Sequence, residues 1–293
     1  MTIKHLVISG GGPNGFTYLG ALQYLHDNGV WNINDINTIY ATSVGAMIAV
    51  FLALKYDWET LNNYLINRPW KDVFKIRPKH ILDSFSLKGL FNEDQYKQGF
   101  KPLLEAKNLD INITLKEFYE YSHIDLHFFC VEINSFELID INYQSFPDIE
   151  LTKAILMTSS IPSIIQPYIT DNKCYVDGGL KTNYPVDQCV KDNCNIDEIL
   201  GIRLENIDGE KSFINEDSNL LEYMVQLLVN YIYHYSKNNT NSVILKNELV
   251  CTGELLTLDF LKQTINEASF RKTLLEKGYE IGRKYLETLE NTV

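Results

Sequence analysis

The sequence predicts an α/β protein with a mostly parallel central sheet flanked by helices in three layers, α/β/α. Three observations carry this. Residues Ile3 to Ser9 hold the contiguous apolar run Leu6-Val7-Ile8, the mark of a strand buried on both faces. The turn Gly10-Gly11-Gly12-Pro13-Asn14-Gly15 follows and opens a helix over Phe16 to Asp27, stopped by Asn28-Gly29. A second strand, Thr38 to Thr42, runs into Ser43 and the apolar stretch Ala46 to Leu54. Strand, helix, strand, helix in this order predicts parallel pairing.

The remaining elements follow from the same periodicities. Strands are expected at Leu126 to Ile133, Glu137 to Ile141, Cys174 to Val176, Glu198 to Leu204 and Leu249 to Cys251, the pair around Asn134-Ser135 being antiparallel. Helices are expected at Asn92 to Leu104, Asp148 to Thr158, Ser218 to Tyr235 and Ser269 to Leu289. The Ser218 helix is apolar around most of its circumference, which favours a buried core helix over one that contacts lipid.

The chain of 293 residues is 45% hydrophobic, and no low-complexity linker or repeat divides it, so residues 1–293 read as one domain. Its longest apolar stretch falls far short of the ~20 residues a membrane-spanning helix needs. The N-terminus lacks the pattern of a signal peptide, and the five scattered cysteines suit free thiols in a reducing compartment. A cytoplasmic location is therefore expected, with room for peripheral membrane contact. A formal charge of −12 argues against a nucleic-acid partner. Oligomeric state is left open. One stretch reverses the charge: Arg68, Lys71, Lys75, Arg77, Lys79 and Lys88 outnumber acids between 68 and 91, interleaved with Trp70, Phe74, Phe85 and Phe91. It reads either as a cap that contacts lipid or as a solvated connection.

The chemistry centres on Ser43, set in Ala41-Thr42-Ser43-Val44-Gly45 where a strand hands over to a helix. A serine between small residues at such a junction builds a nucleophile elbow, although the same string serves as a simple helix N-cap. Gly10, Gly12 and Gly15 fit a dinucleotide fingerprint, but no acidic residue ends the second strand to hold a ribose. The better use of this turn is an oxyanion hole, drawn from the N–H groups of Gly10, Gly11, Gly12, Asn14 and Gly15. For the base, His234 alone follows the other motifs in the chain order of a triad, and it sits in an aromatic run that reads as packing. The alternative is Asp177, in Tyr175-Val176-Asp177-Gly178-Gly179, where two glycines allow a close approach to another segment.

The glycine turn, small-x-Ser-x-Gly and Asp-Gly-Gly, in that order, resemble the patatin-like phospholipases, from roughly Leu6 to Leu204. Gly20, Gly89-Leu90-Phe91-Asn92, Thr158-Ser159-Ser160-Ile161-Pro162 and Asn183 with Pro185 extend the likeness. The chain departs from the family pattern at Ala41, where an elbow glycine is usual, and at Asn14, where Arg or Lys is common. The resemblance implies a lipid acyl hydrolase that works through a Ser43–Asp177 dyad, without histidine, metal or organic cofactor. Gly45, Gly178 and Gly179 would support the dyad, and lipid or another acyl ester would be the substrate. The rival reading is a weakly active or inactive module that keeps the fold for lipid or protein binding.

Overall fold

The computed structural model describes residues 2–75, 84, 86–206, 214–238 and 243–290. Its main sheet has eight strands. Five form a parallel run: β10 (Asn247–Gly253), β9 (Ile199–Asn206), β1 (His5–Ile8), β2 (Thr38–Thr42) and β4 (Asp125–Glu132). Antiparallel additions complete it, with β5 (Glu137–Ile141) and β8 (Lys173–Asp177) on β4, and β7 (Tyr168–Thr170) on β8. A separate parallel pair joins β3 (Gly89–Phe91) to β6 (Ser163–Ile165).

Side chains alternate across the central strands and split the core in two. Leu6, Ile8, Ile39, Ala41, Phe128 and Cys130 face the larger core. The helices there are α1 (Gly15–Asp27), α2 (Val44–Ala53), α3 (Trp58–Asn67), α5 (Glu93–Glu105), α6 (Leu115–Ser122) and α7 (Leu151–Ser159); α4 (Trp70–Val73) is a single turn between α3 and β3. Val7, Tyr40 and Phe129 face the other way, against Tyr184 and the Val186 and Cys189 side chains of α8 (Val186–Lys191). The sheet is thus covered on both faces, as the apolar runs of β1 and β2 predict.

The chain then builds α9 (Leu220–Asn238), α10 (Leu258–Asn266) and α11 (Ala268–Glu290), the last packed along α1. The reading of the Ser218 helix as buried core needs correction. Val225 and Val229 of α9 are buried, but Leu220, Tyr223, Met224, Leu227 and Tyr231 are exposed. One apolar helix cannot bury both faces when it lies on the outside of the fold, here over β6 and the Gly178–Leu180 turn. Among the described residues, no helix is long and apolar enough to cross a membrane.

The register of β4 sets the position of two strand ends. Residues 125–129 of β4 pair with β2, ending at Thr42 opposite Phe129, and Cys130 pairs with Asp177 of the antiparallel β8. The ends of β2 and β8 therefore meet at adjoining residues of β4. This brings together Ser43 and Asp177, which are 134 positions apart.

Candidate active site

Ser43 joins β2 to α2 with φ 56° and ψ −124°, a backbone that non-glycine residues rarely adopt. Its hydroxyl makes no capping bond to α2, so it does not act as the simple N-cap. The surroundings hold the strain. Thr158 Oγ1 accepts the Ser43 N–H at 3.0 Å and donates to the Phe129 carbonyl at 2.5 Å. Gly45 lies so close to β1 that a Cβ would stand 2.5 Å from the Ile8 carbonyl oxygen. Ala41 is fully buried and has an ordinary negative φ, so its methyl is accommodated within β2.

Asp177 ends β8 and is almost wholly buried. Its N–H donates to the Ser160 carbonyl at 3.0 Å, and its Oδ1 accepts the Gly179 N–H at 2.8 Å. Oδ2 is buried and, among the described residues, has no hydrogen bond of good geometry. Burial pushes the carboxyl up to about 6; the Gly179 N–H and the Ser43 hydroxyl work against that rise. The Ser43 hydroxyl is thus one of the two groups that favour the charged form of the carboxyl against its burial. A Cβ on Gly178 would run into the Phe129 carbonyl, so the glycine permits the approach of this loop to β4.

The Asp177 loop is stitched to both neighbouring strand ends. Thr42 Oγ1 donates to the Thr182 carbonyl at 2.9 Å, and the Gly10 N–H donates to the Asn183 carbonyl at 2.9 Å. Within the glycine turn the amides divide. The N–H of Gly10 is taken by Asn183, that of Asn14 by the Gly11 carbonyl at 3.2 Å, and that of Gly15 by carbonyls of the turn itself. Among the described residues the N–H groups of Gly11 and Gly12 meet no acceptor, and both glycines line the cavity that holds Ser43. Asn14 has a different task from the amide donors. Its buried side chain donates to the carbonyls of Gly11 and Glu254, each at 2.9 Å, and ties the turn to the segment after β10. That partner lies 240 positions away, beyond any local pattern.

Ser43 stands between two cavities. A cleft of about 730 Å³ holds Gly10, Gly11, Gly12, Ser43 and Asp177, with Lys181 and Arg203 on its wall. A second cavity of about 220 Å³ also reaches Ser43 and is walled by Phe16, Met47, Phe51, Trp70, Phe91 and neighbours. Trp70, Phe74 and Phe91 of the basic-aromatic stretch therefore turn inward, with ring centroids 5.2 Å apart for Phe74 and Phe91. Arg77, Lys79 and Phe85 of that stretch lie outside the described residues.

No described histidine lines either cavity with Ser43. His234 is on α9 and exposed, and His80 lies outside the described residues. His127, Asp140 and Asp192 bring ligand-type atoms within 4.8 Å of one another, toward the start of β2 and β4. These groups are already engaged with protein partners: His127 Nδ1 meets Asp140 at 2.7 Å, its ring stacks on Tyr40, and the Tyr40 hydroxyl donates to Asp192 at 2.9 Å. We read them as a structural ion pair.

Comparison with known proteins places the fold and the family. The 14%-identical VipD from Legionella pneumophila superposes with a TM-score of 0.54 over 98% of this chain and 67% of its own, a likeness of fold. Uncharacterized protein R571 of Acanthamoeba polyphaga mimivirus is 29% identical over 237 residues, 77% of this chain and 74% of the relative. Probable lipid hydrolase 463L of Invertebrate iridescent virus 6 is 27% identical over 188 residues, 64% of this chain and 63% of the relative. The family model for patatin-like phospholipase matches residues 6–190, which include the glycine turn, Ser43 and Asp177. The chain belongs to the patatin-like phospholipase family.

Proposed function

We propose that the protein is a lipid acyl hydrolase of phospholipase A type, with Ser43 as nucleophile and Asp177 as its base. The observation that carries this is the position of Ser43. It stands at the junction of an apolar cavity and a larger cleft with Lys181 and Arg203 on its wall, beside a buried carboxylate and two uncommitted amides. An ester with a long acyl chain has the matching shape. The chain enters the apolar cavity, the scissile carbonyl rests at Ser43, and the headgroup side occupies the cleft.

The reaction then runs through the chain's own groups. Asp177 takes the Ser43 proton as Oγ bonds to the ester carbonyl carbon. The carbonyl oxygen becomes an oxyanion facing the Gly11 and Gly12 N–H groups, each donor of this kind contributing about 3 kcal/mol. Collapse breaks the bond to the alcohol, which leaves with the proton from Asp177. The same carboxylate next draws a proton from water, whose oxygen attacks the acyl-enzyme. The acid is released and the proton returns to Ser43. Burial makes Asp177 a better base than an aspartate in water, and proximity does the rest.

A fluorophosphonate probe tests the nucleophile. The wild type is expected to label and Ser43→Ala to remain unlabelled while folded. A folded wild type that resists the probe and cleaves no ester would favour the binding-module reading instead.

A further inference from the structure

Among the described residues, the outer face of α9 packs against no other element. Leu220, Tyr223, Met224, Leu227 and Tyr231 recur at i, i+3, i+4, i+7 and i+11, one stripe along the helix. Their exposures run from 42% for Met224 and Tyr231 to 64% for Leu220. Between Leu220 and Ser236 the single Asp, Glu, Lys or Arg is Glu222. The inner face of the same helix belongs to the site. Val225 and Val229 pack with Phe91, Ile164 and Leu256, and Val229 and Ile232 line the cleft that holds Ser43 and Asp177. Ile244, on the same cleft wall, is 90% exposed. Apolar side chains thus run from the cleft lining, at Val229 and Ile232, round to the outer stripe of the same helix.

We propose that α9 docks on the surface of a phospholipid bilayer, with its outer stripe seated among the headgroups and upper acyl chains, so that the cleft opens onto the membrane holding its substrate. This rests on the acyl-hydrolase reading for the identity of the substrate. The bilayer is favoured over a second copy of the chain by this continuity, since a protein covering α9 and Ile244 would close the mouth of the cleft. Tyr223 and Tyr231 suit the boundary, where an aromatic body is buried and the hydroxyl stays wet. The stripe lacks Lys and Arg, and the whole chain is acidic, so attachment depends on apolar insertion and not on attraction to anionic lipid. The helix lies beyond residues 6–190, so docking belongs to this chain's own roof and not to the part that matches the family model.

The test uses full-length protein carrying Ser43→Ala, so that vesicles survive, and phosphatidylcholine vesicles in a flotation assay. Binding is expected, and raising salt from about 0.1 to about 0.5 M is expected to change it less than about twofold, as apolar insertion is little screened. Leu220→Ser with Leu227→Ser should weaken it at least about tenfold, two buried leucines being lost from the contact. With Ser43 intact, these two substitutions leave hydrolysis of a soluble short-chain ester unchanged, since neither residue lines the cleft. As a check independent of folding losses, a Leu227→Trp variant should shift its emission to the blue on adding vesicles. No flotation of the parent protein, full flotation of the double serine variant, or an unshifted emission from the Leu227→Trp variant overturns the proposal. So does a dimer of the wild type that the double variant converts to monomer, which would assign the stripe to a second copy. Vesicle binding without any ester hydrolysis leaves the docking standing and removes the hydrolase reading.

Discussion

Thr158 holds the backbone of Ser43 by accepting its N–H at 3.0 Å while donating its own hydroxyl proton to the Phe129 carbonyl on β4. The strained elbow is therefore braced by a hydroxyl from α7 and not by its own helix. Thr158→Val keeps the volume and leaves a buried N–H and a buried carbonyl unpaired, a loss of about 1–3 kcal/mol. We expect a lower urea midpoint and a kcat reduced roughly 10- to 100-fold with KM little changed, because the reacting hydroxyl is misplaced. A wild-type kcat would show that the elbow supports itself.

Under the proposed mechanism, Asp177 links stability to catalysis with opposite signs. Its pKa in the folded protein is about 6, against an ordinary value of 3.8. Between these values the folded chain retains a proton that the unfolded chain has released. Stability therefore falls as pH rises from about 4 to 6 and stays lower above that window. Asp177→Asn is expected to be inactive yet more stable than wild type at about pH 7.5, by about 1–3 kcal/mol, with the gain vanishing near about pH 4. Thermal melts of the two proteins across pH check this. In the wild type, kcat/KM on a soluble ester should climb with pH and level off above about 6 as the base form fills. A flat profile across that window would remove Asp177 as the base.

Gly178 marks where the Asp177 loop touches β4. Gly178→Ala places a methyl against the Phe129 carbonyl, a backbone atom that cannot swing aside. We expect destabilisation above about 2 kcal/mol and loss of activity together. An active, stable variant would mean that the loop has room to retreat.

The apolar cavity makes a prediction about acyl length. Met47 on α2 lines it, half-buried. Met47→Trp fills part of the space, and each excluded methylene is worth ~10-fold or more in specificity. The ratio of kcat/KM for a twelve-carbon ester to that for a four-carbon ester is expected to fall at least tenfold. An unchanged ratio would place the acyl chain in the larger cleft.

The elbow, the Asp-Gly-Gly turn and the glycine turn are legible in the sequence because each imposes a local demand. A backbone that bends sharply or approaches another strand excludes side chains, and small residues record that exclusion. Gly45 and Gly178 are instances. The strands around them are likewise legible, since burial on both faces leaves runs of apolar residues. The short helices at Trp58–Asn67 and Leu258–Asn266 escape the apolar pattern. Their polar faces break it, although Asp57 and Thr257 cap them as helix-start signals should. The bracing threonine is visible in the sequence only as one member of a likeness.

Chain order and residue type were enough to specify the layered sheet and to nominate Ser43 and Asp177, because strand periodicity and tight turns are short-range properties. Which amides remain available was decided by folding. Asn183 takes the Gly10 N–H, and Asn14 spends its side chain on Glu254, contacts between segments that no local pattern connects. The same holds for α9: a helix apolar on nearly every side carries no mark of which side the core will claim, and only its seat above β6 and the Gly178–Leu180 turn left Leu220 and Leu227 facing water.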